Sequence, residues 1–181
     1  MVESIIPYKQ TLSHSCLVVD FLMLHRQKYN LKFGPKDESE LLLAGMNRQY
    51  LYYVIGVPKE IFKRYGKKIG IVVDNEFFTN DLIKGFGDKE NFNIYQGKIN
   101  LETIRGLVGK GPVICHIDNN YLGDYSHASH FVIIEEIIGD KVSIVDPVDG
   151  KRKTVSSKVL IDSIDSLRYH IKMCPLLYYL E

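Results

Sequence analysis

The stretch HFVIIEEIIGDKVSIVDP, residues 130–147, decides the fold class of this chain. Apolar and β-branched residues lie on both sides of Gly139, a composition that predicts two antiparallel strands joined by a tight turn. Other segments share this strand-like composition: residues 92–96 and 112–118 upstream, and SLRYHIKM (166–173) and LLYYL (176–180) downstream. Short helices are expected between these strands, over residues 101–109 and 155–164. The second half of the chain is therefore predicted to form a sheet.

The first half of the chain has the composition of helices instead. Residues 16–29, CLVVDFLMLHRQKY, form a continuous apolar run that is too long for a strand, which predicts a largely buried helix. Proline near the start and glycine at the end of a segment are typical helix boundaries. On this basis three more helices are expected: from about Asp37 to Tyr53, from Pro58 to Gly66, and over residues 75–86.

This order of elements, with helices first and strands last, is typical of the α+β class rather than of a doubly wound sheet. A length of 181 residues suits one domain. We therefore expect a single domain over residues 1–181, with a helical lobe over about 1–90 packed against an antiparallel β-sheet lobe over about 91–181. Two such lobes can enclose a cleft.

Composition and charge exclude several classes of function. The formal net charge is +1, which gives no overall field for binding nucleic acid or a membrane surface. No apolar run reaches the length of about 18 residues that a membrane span needs, and the start of the chain does not resemble a signal peptide. Cys16, Cys115 and Cys174 are widely spaced, which favours reduced thiols and a cytoplasmic location.

Cys16 stands at the first turn of the predicted buried helix, with Ser13 or Ser15 available as its N-cap. The free N–H groups and the dipole of a helix N-terminus favour a negative charge, and therefore a thiolate. Inert cysteines also occur at such positions. A catalytic thiolate needs an imidazole beside it and a group that orients the imidazole.

His130 and Asp146 can supply these two groups. If Ile138-Gly139-Asp140 forms a three-residue turn, Asp146 falls opposite Val132, so that His130 and Asp146 project from the same face as diagonal neighbours. A two-residue turn would place them on opposite faces. Pro147 holds Asp146 in an extended backbone conformation, as suits an orienting carboxylate at the end of a strand.

Gln10, six residues before Cys16, completes a set of four. A side-chain amide near a nucleophile can donate to the oxyanion that forms when a thiolate attacks a carbonyl, together with the backbone N–H of the cysteine. Taken alone, a glutamine at this position is also typical of an exposed loop.

With these residues the chain resembles the bacteriocin-processing, double-glycine leader peptidase family of papain-like cysteine peptidases. The resemblance lies in Gln10 with Cys16, in His130-Phe131-Val132-Ile133, and in Asp146-Pro147-Val148-Asp149-Gly150. It implies a papain-like fold, catalytic Cys16, His130 and Asp146, and Gln10 in the oxyanion hole. It also implies cleavage of peptides after small residues, often a glycine pair. The family usually has an acidic residue before the cysteine and a small residue after it, whereas this chain has Ser15 and Leu17.

Two other constellations compete with this set. His127 and His130, with His116 and Asp118 upstream, can be drawn as a zinc site, but they lie in a loop and strand rather than at helical metal-binding spacing. Cys115 and His116 are adjacent in a predicted strand, so their side chains point to opposite faces. No nucleotide-binding glycine motif is present. We therefore expect neither a metal nor a cofactor.

Three functions remain open on the sequence alone. The first is a cysteine peptidase that acts on a peptide or protein substrate through Cys16, His130, Asp146 and Gln10. The second is a papain-fold acyltransferase, in which an amine replaces water. The third is a catalytically silent peptide-binding module, in which the bulky Leu17 blocks the thiol.

Overall fold

The computed structural model describes residues 4–123 and 126–181. These residues form six α-helices: α1 (Cys16–Tyr29), α2 (Pro35–Gly45), α3 (Tyr53–Tyr65), α4 (Glu76–Phe86), α5 (Leu101–Val108) and α6 (Ser157–Tyr169). They also form seven strands: β1 (Ile69–Val73), β2 (Phe92–Gln96), β3 (Val113–Asp118), β4 (Ser129–Ile138), β5 (Lys141–Asp146), β6 (Lys151–Ser156) and β7 (Leu176–Leu180). A short 3-10 helix covers Asn119–Leu122.

All seven strands belong to one sheet, in the order β2-β1-β7-β3-β4-β5-β6. β1 and β2 are parallel, and the other five neighbouring pairs are antiparallel. The fold is a mixed helix and sheet fold, consistent with the predicted α+β class. β1 was not predicted from the sequence, and it lies within the segment expected to form the helical lobe.

The predicted three-residue turn and the pairing of Ile137 with Lys141 are wrong, but beyond the turn the register of β4 and β5 agrees with the prediction. Ile138 pairs with Lys141, so the turn has two residues rather than three. A bulge at Glu135 then shifts the ladder by one residue, and Ile133 pairs with Val145. Continued by one residue, this register would place Val132 opposite Asp146. The bulge therefore replaces the longer turn in bringing His130 and Asp146 to one face.

Two helix boundaries differ from the prediction. The second helix ends at Gly45, and the third begins at Tyr53 rather than at Pro58. Pro58 therefore lies inside α3, where it has no N–H to donate to the carbonyl of Val54. The hydroxyl of the buried Tyr178 donates to that carbonyl instead, at 3.0 Å. A contact from a distant strand thus allows the helix to include a proline.

Near the end of the chain, α6 extends to Tyr169 and includes the first half of the segment SLRYHIKM, so the strand predicted there is wrong. α6 has a continuous buried side that includes Leu160, Ile164 and Leu167, and this helical spacing outweighs the strand-like composition. The helix predicted over Val155–Ile164 was placed too early, because residues 151–156 form the edge strand β6.

α1 is the central helix of the fold. Its first ten residues, 16–25, are all buried, and the helix packs against β4. One apolar core lies between α1 and the sheet, and a second lies between the sheet and α6. Among the described residues, no helix is both long enough and apolar enough to cross a membrane.

Candidate active site

Cys16 is the first residue of α1, as predicted, and lines a large cavity although only 9% of its surface is exposed. The residue before it, Ser15, stands at the N-cap position but does not cap the helix with its side chain. The carbonyl of His14 accepts a hydrogen bond from the hydroxyl of Tyr53 at 2.9 Å. His14 itself has a φ of 65°, a conformation that is uncommon for a residue with a side chain. The backbone leading to the thiol is therefore held in one specific path.

Glu38 of α2 organises the loop that joins Gln10 to Cys16, and sequence reasoning missed it. Its Oε1 atom accepts hydrogen bonds from the backbone N–H groups of Thr11 and Leu12, at 2.8 and 3.0 Å, and from the Ser15 hydroxyl at 2.6 Å. Its Oε2 atom accepts from the Thr11 hydroxyl at 2.8 Å. Glu38 is fully buried, and a buried carboxylate needs such donors in place of water.

His130 and Asp146 meet as the sequence predicted. The His130 Nε2 atom lies 2.9 Å from Asp146 Oδ1, and both side chains are buried. Cys16 also lies close enough to the imidazole to help raise the pKa of His130. Because Nε2 forms the hydrogen bond with Asp146, the other ring nitrogen, Nδ1, is the one available to the thiol. His130 is therefore hydrogen-bonded to the carboxylate and close to the sulfur.

The environment of His130 favours its charged form. Burial by itself lowers the pKa of an imidazole, but hydrogen bonds with Asp146 and Cys16 outweigh it and raise the pKa of His130 to about 10. Burial likewise raises the pKa of Asp146, but the His130 hydrogen bond and charge, with Lys153, lower it to about 2. An imidazolium beside a carboxylate is therefore the stable state over the neutral range.

Two further groups fix the Asp146 carboxylate. Lys153 of β6 lies 2.6 Å from Oδ2, and the backbone N–H of Val148 donates to Oδ1 at 2.9 Å. Both groups come from the turn and strand that directly follow β5. Asp146 is thus held from one side by its own hairpin, while its other contact is the His130 imidazole.

Gln10 is positioned by the same turn. Its backbone N–H donates to the carbonyl of Pro147 at 2.7 Å. Gly150 allows this approach, because a Cβ atom there would lie 2.7 Å from the backbone nitrogen of Lys9. The side-chain amide of Gln10 donates to the carbonyl of Leu12 at 3.1 Å. A primary amide has two N–H groups, so this contact occupies one of them.

Asp20 is a second residue that sequence reasoning missed. It lies one helical turn after Cys16, is fully buried, and its two carboxyl oxygens make no hydrogen bond to the described residues. Burial, and then the charge of Cys16, raise the pKa of Asp20 well above its usual value. The protonated, neutral form of the Asp20 carboxyl is therefore favoured. Its signal in the sequence was a single charged residue within an otherwise apolar helical run.

The candidate residues of the competing zinc site lie in different contacts. Asp118 accepts hydrogen bonds from His127 and from the Ser166 hydroxyl, each at 2.6 Å. His130 instead forms its hydrogen bond with Asp146. His116 stacks on Phe131 with ring centroids 4.3 Å apart. Within residues 4–123 and 126–181, no group of three or more potential ligands could hold a metal ion.

The other two cysteines differ from Cys16 in their surroundings. Burial raises the pKa of Cys115 far above that of a free thiol, and its side chain is fully enclosed. Burial also raises the pKa of Cys174 to about 11, although this residue is partly accessible. Cys16 is the described cysteine that contributes to raising the pKa of an imidazole.

No protein-family model matches the chain, and no curated protein matches its sequence.

Proposed function

We propose that the protein is a cysteine peptidase with a papain-like fold, in which Cys16 is the nucleophile. The observation that carries this proposal is the position of His130: its Nε2 atom lies 2.9 Å from Asp146 Oδ1, and Cys16 is close enough to help raise its pKa. A nucleophile, a base and a group that orients the base are the three parts that covalent acyl transfer requires. The central buried helix packed on an antiparallel part of the sheet also suits a papain-like fold.

The first step of the proposed reaction is attack of the Cys16 thiolate on the carbonyl carbon of the scissile bond. The carbonyl oxygen gains negative charge, and the Cys16 backbone N–H and the Gln10 amide donate hydrogen bonds to it. The His130 imidazolium then gives its Nδ1 proton to the leaving amine. The carbon–nitrogen bond breaks, and a thioester on Cys16 remains.

The second step is hydrolysis of this thioester. Once the sulfur is acylated, it no longer carries the charge that raises the pKa of His130, so the imidazole becomes a better base. His130 takes a proton from water, the hydroxide adds to the thioester carbonyl, and the carboxylic acid leaves as the thiolate forms again. Asp146 holds the ring in one orientation throughout both steps.

Leu17 gives no support to the alternative of a silent binding module. Its side chain is fully buried in the core around α1 and is not part of the cavity wall, whereas Cys16 is. The bulky residue therefore lies away from the approach to the sulfur.

The test is cleavage of a complex peptide mixture, analysed by mass spectrometry, with wild-type protein and with the Cys16→Ala and Cys174→Ala variants. We expect new peptide termini with wild type and Cys174→Ala, and none with Cys16→Ala. Parallel reactions with an added amine distinguish acyl transfer, which would give amide products instead of acids. Equal product patterns for wild type and Cys16→Ala would contradict the proposal.

A further inference from the structure

A cavity of about 1110 Å³ opens beside the Cys16 thiol, where β1 ends and β4 and β7 begin. Most of its wall is formed by apolar and aromatic side chains, among them Tyr52, Val54, Phe78, Phe131, Met173 and Leu176. Cavities of about 300–1,000 Å³ typically enclose a whole drug-sized ligand. This cavity is therefore large enough for several bulky groups.

Several polar side chains in the wall are already paired within the protein, whereas His14 and Lys172 also line it without a side-chain hydrogen-bond or ion-pair partner among the described residues. Arg168 Nε lies 2.5 Å from Asp74 Oδ2, so these two charges satisfy each other. His116 Nε2 lies 2.7 Å from the Ser129 hydroxyl, and its Nδ1 atom lies 3.2 Å from a backbone carbonyl. Burial lowers the pKa of His116 to about 4, so this ring is neutral. Apart from His14, Asn75 and Lys172, the wall is apolar or internally paired, so an occupant with mainly apolar groups fits it best.

The position of the cavity relative to the site indicates which half of the substrate it receives. Cys16 is part of the wall, whereas His130 is not and is almost completely buried. In the proposed reaction the acyl half stays bonded to the sulfur, while the leaving amine departs from the imidazole side. A group that fills the cavity is therefore part of the acyl half.

We propose that the acyl half of the substrate carries large aliphatic or aromatic side chains that occupy this cavity, and that a glycine pair is a poor substrate. This inference rests on the proposed cysteine-peptidase function and names its substrate class. A glycine pair would leave nearly all of the apolar wall in contact with water. Each methylene that replaces this water contributes about 0.8 kcal/mol, or roughly a fourfold gain in rate when the gain persists in the transition state.

The experiment compares two chloromethyl ketones, Ac-Leu-Phe-CH₂Cl and Ac-Gly-Gly-CH₂Cl. Each reagent alkylates a thiolate, since the sulfur bonds to the methylene carbon and chloride leaves. Second-order rates for Cys16 are measured by intact-protein and peptide mass spectrometry and divided by the rates with glutathione, which corrects for intrinsic reactivity. We expect the Leu-Phe reagent to react at least about 30 times faster with Cys16 than the Gly-Gly reagent.

Two neighbouring phenylalanines of α4 provide a matched pair of variants. Phe78 is part of the cavity wall, whereas Phe77 is 82% exposed and is not. Phe78→Ala should reduce the preference for the Leu-Phe reagent several-fold, and Phe77→Ala should leave it unchanged. Met46 lies in the wall and is largely exposed, so Met46→Trp narrows the cavity without disturbing the core. It should slow the Leu-Phe reagent and spare the Gly-Gly reagent.

The outcomes separate this inference from the proposed function. Equal normalised rates for the two reagents, with Cys16 labelled quickly by both, would overturn the inference and leave the peptidase intact. If neither reagent nor iodoacetamide labelled Cys16 faster than Cys174, the proposed function and the inference would both be overturned. Isothermal calorimetry with the unreactive Cys16→Ala variant tests binding without any reaction at the thiol. Binding of Ac-Leu-Phe-NH₂ but not of Ac-Gly-Gly-NH₂ would support the cavity assignment.

Discussion

Glu38 offers the sharpest test of how the site is built, because one carboxylate holds the loop between Gln10 and Cys16. Three donors converge on its Oε1 atom, from Thr11, Leu12 and Ser15. Hydrogen bonds to a charged group contribute about 1.5–3 kcal/mol each, and neutral ones about 0.5–1.5 kcal/mol. Glu38→Gln keeps an oxygen for these donors but removes the charge. We therefore expect it to lower the free energy of unfolding by about 2–3 kcal/mol, and Glu38→Ala by more.

The assay combines urea denaturation with the rate of Cys16 alkylation by iodoacetamide. A loosened loop misplaces both the thiol and the Gln10 amide, so Glu38→Gln should slow peptide hydrolysis at least about tenfold under conditions in which the variant is folded. Glu40→Gln is the control, since Glu40 lies in the same helix but forms a surface ion pair with Arg64. If Glu38→Gln and Glu40→Gln behaved alike in stability and in rate, the organising role of Glu38 would be refuted.

Two further predictions concern Gln10 and Asp20. Gln10→Ala should lower kcat about 100-fold or more with little change in KM, because its amide acts when charge develops on the substrate oxygen; steady-state kinetics that showed an unchanged kcat would reduce Gln10 to a loop residue. Asp20→Asn should become progressively more stable than wild type as pH rises above about 4, measured by urea denaturation at pH 4, 6 and 8. The pKa of Asp20 is higher in the folded state than in the unfolded state. At a pH above the unfolded-state pKa, unfolding therefore releases a proton, and a rise in pH favours the unfolded state. A stability difference that stayed constant with pH would contradict the neutral state of Asp20.

The positions of the candidate site residues were more predictable from the sequence than the contacts that hold them in place. Cys16, His130 and Asp146 lie in or beside strongly patterned elements, the apolar run of α1 and the hairpin of β4 and β5. The hairpin register, however, depends on the bulge at Glu135. That side chain is held by Arg152 at 2.5 Å and by the backbone N–H of Ile5 at 2.8 Å. No local pattern can encode contacts of this kind.

Glu38 escaped prediction for a similar reason. An acidic residue in the first turn of a helix is usually explained by the helix dipole and by solvent. Its partners lie 23 to 27 residues earlier in the chain, so its burial depends on tertiary structure alone. The helix α3 illustrates the same limit, since its inclusion of Pro58 depends on the hydroxyl of Tyr178.

The central claim, that His130 activates Cys16, is tested most directly by the pH dependence of alkylation at each cysteine. The pKa of His130 is raised to about 10, so its imidazolium persists at pH 6 and favours the neighbouring thiolate. A free cysteine with a pKa near 8.5 is under about 1% ionised at that pH. Cys174, with its pKa raised to about 11, is ionised far less.

Mass mapping after iodoacetamide treatment at pH 6 should therefore find Cys16 labelled at least about 30 times faster than a free cysteine. Cys115 and Cys174 should stay nearly unlabelled. His130→Ala should remove most of this acid-side reactivity of Cys16, whereas His127→Ala should preserve it, because His127 contacts Asp118 instead. Slow and equal labelling of all three cysteines, unchanged by His130→Ala, would contradict the account.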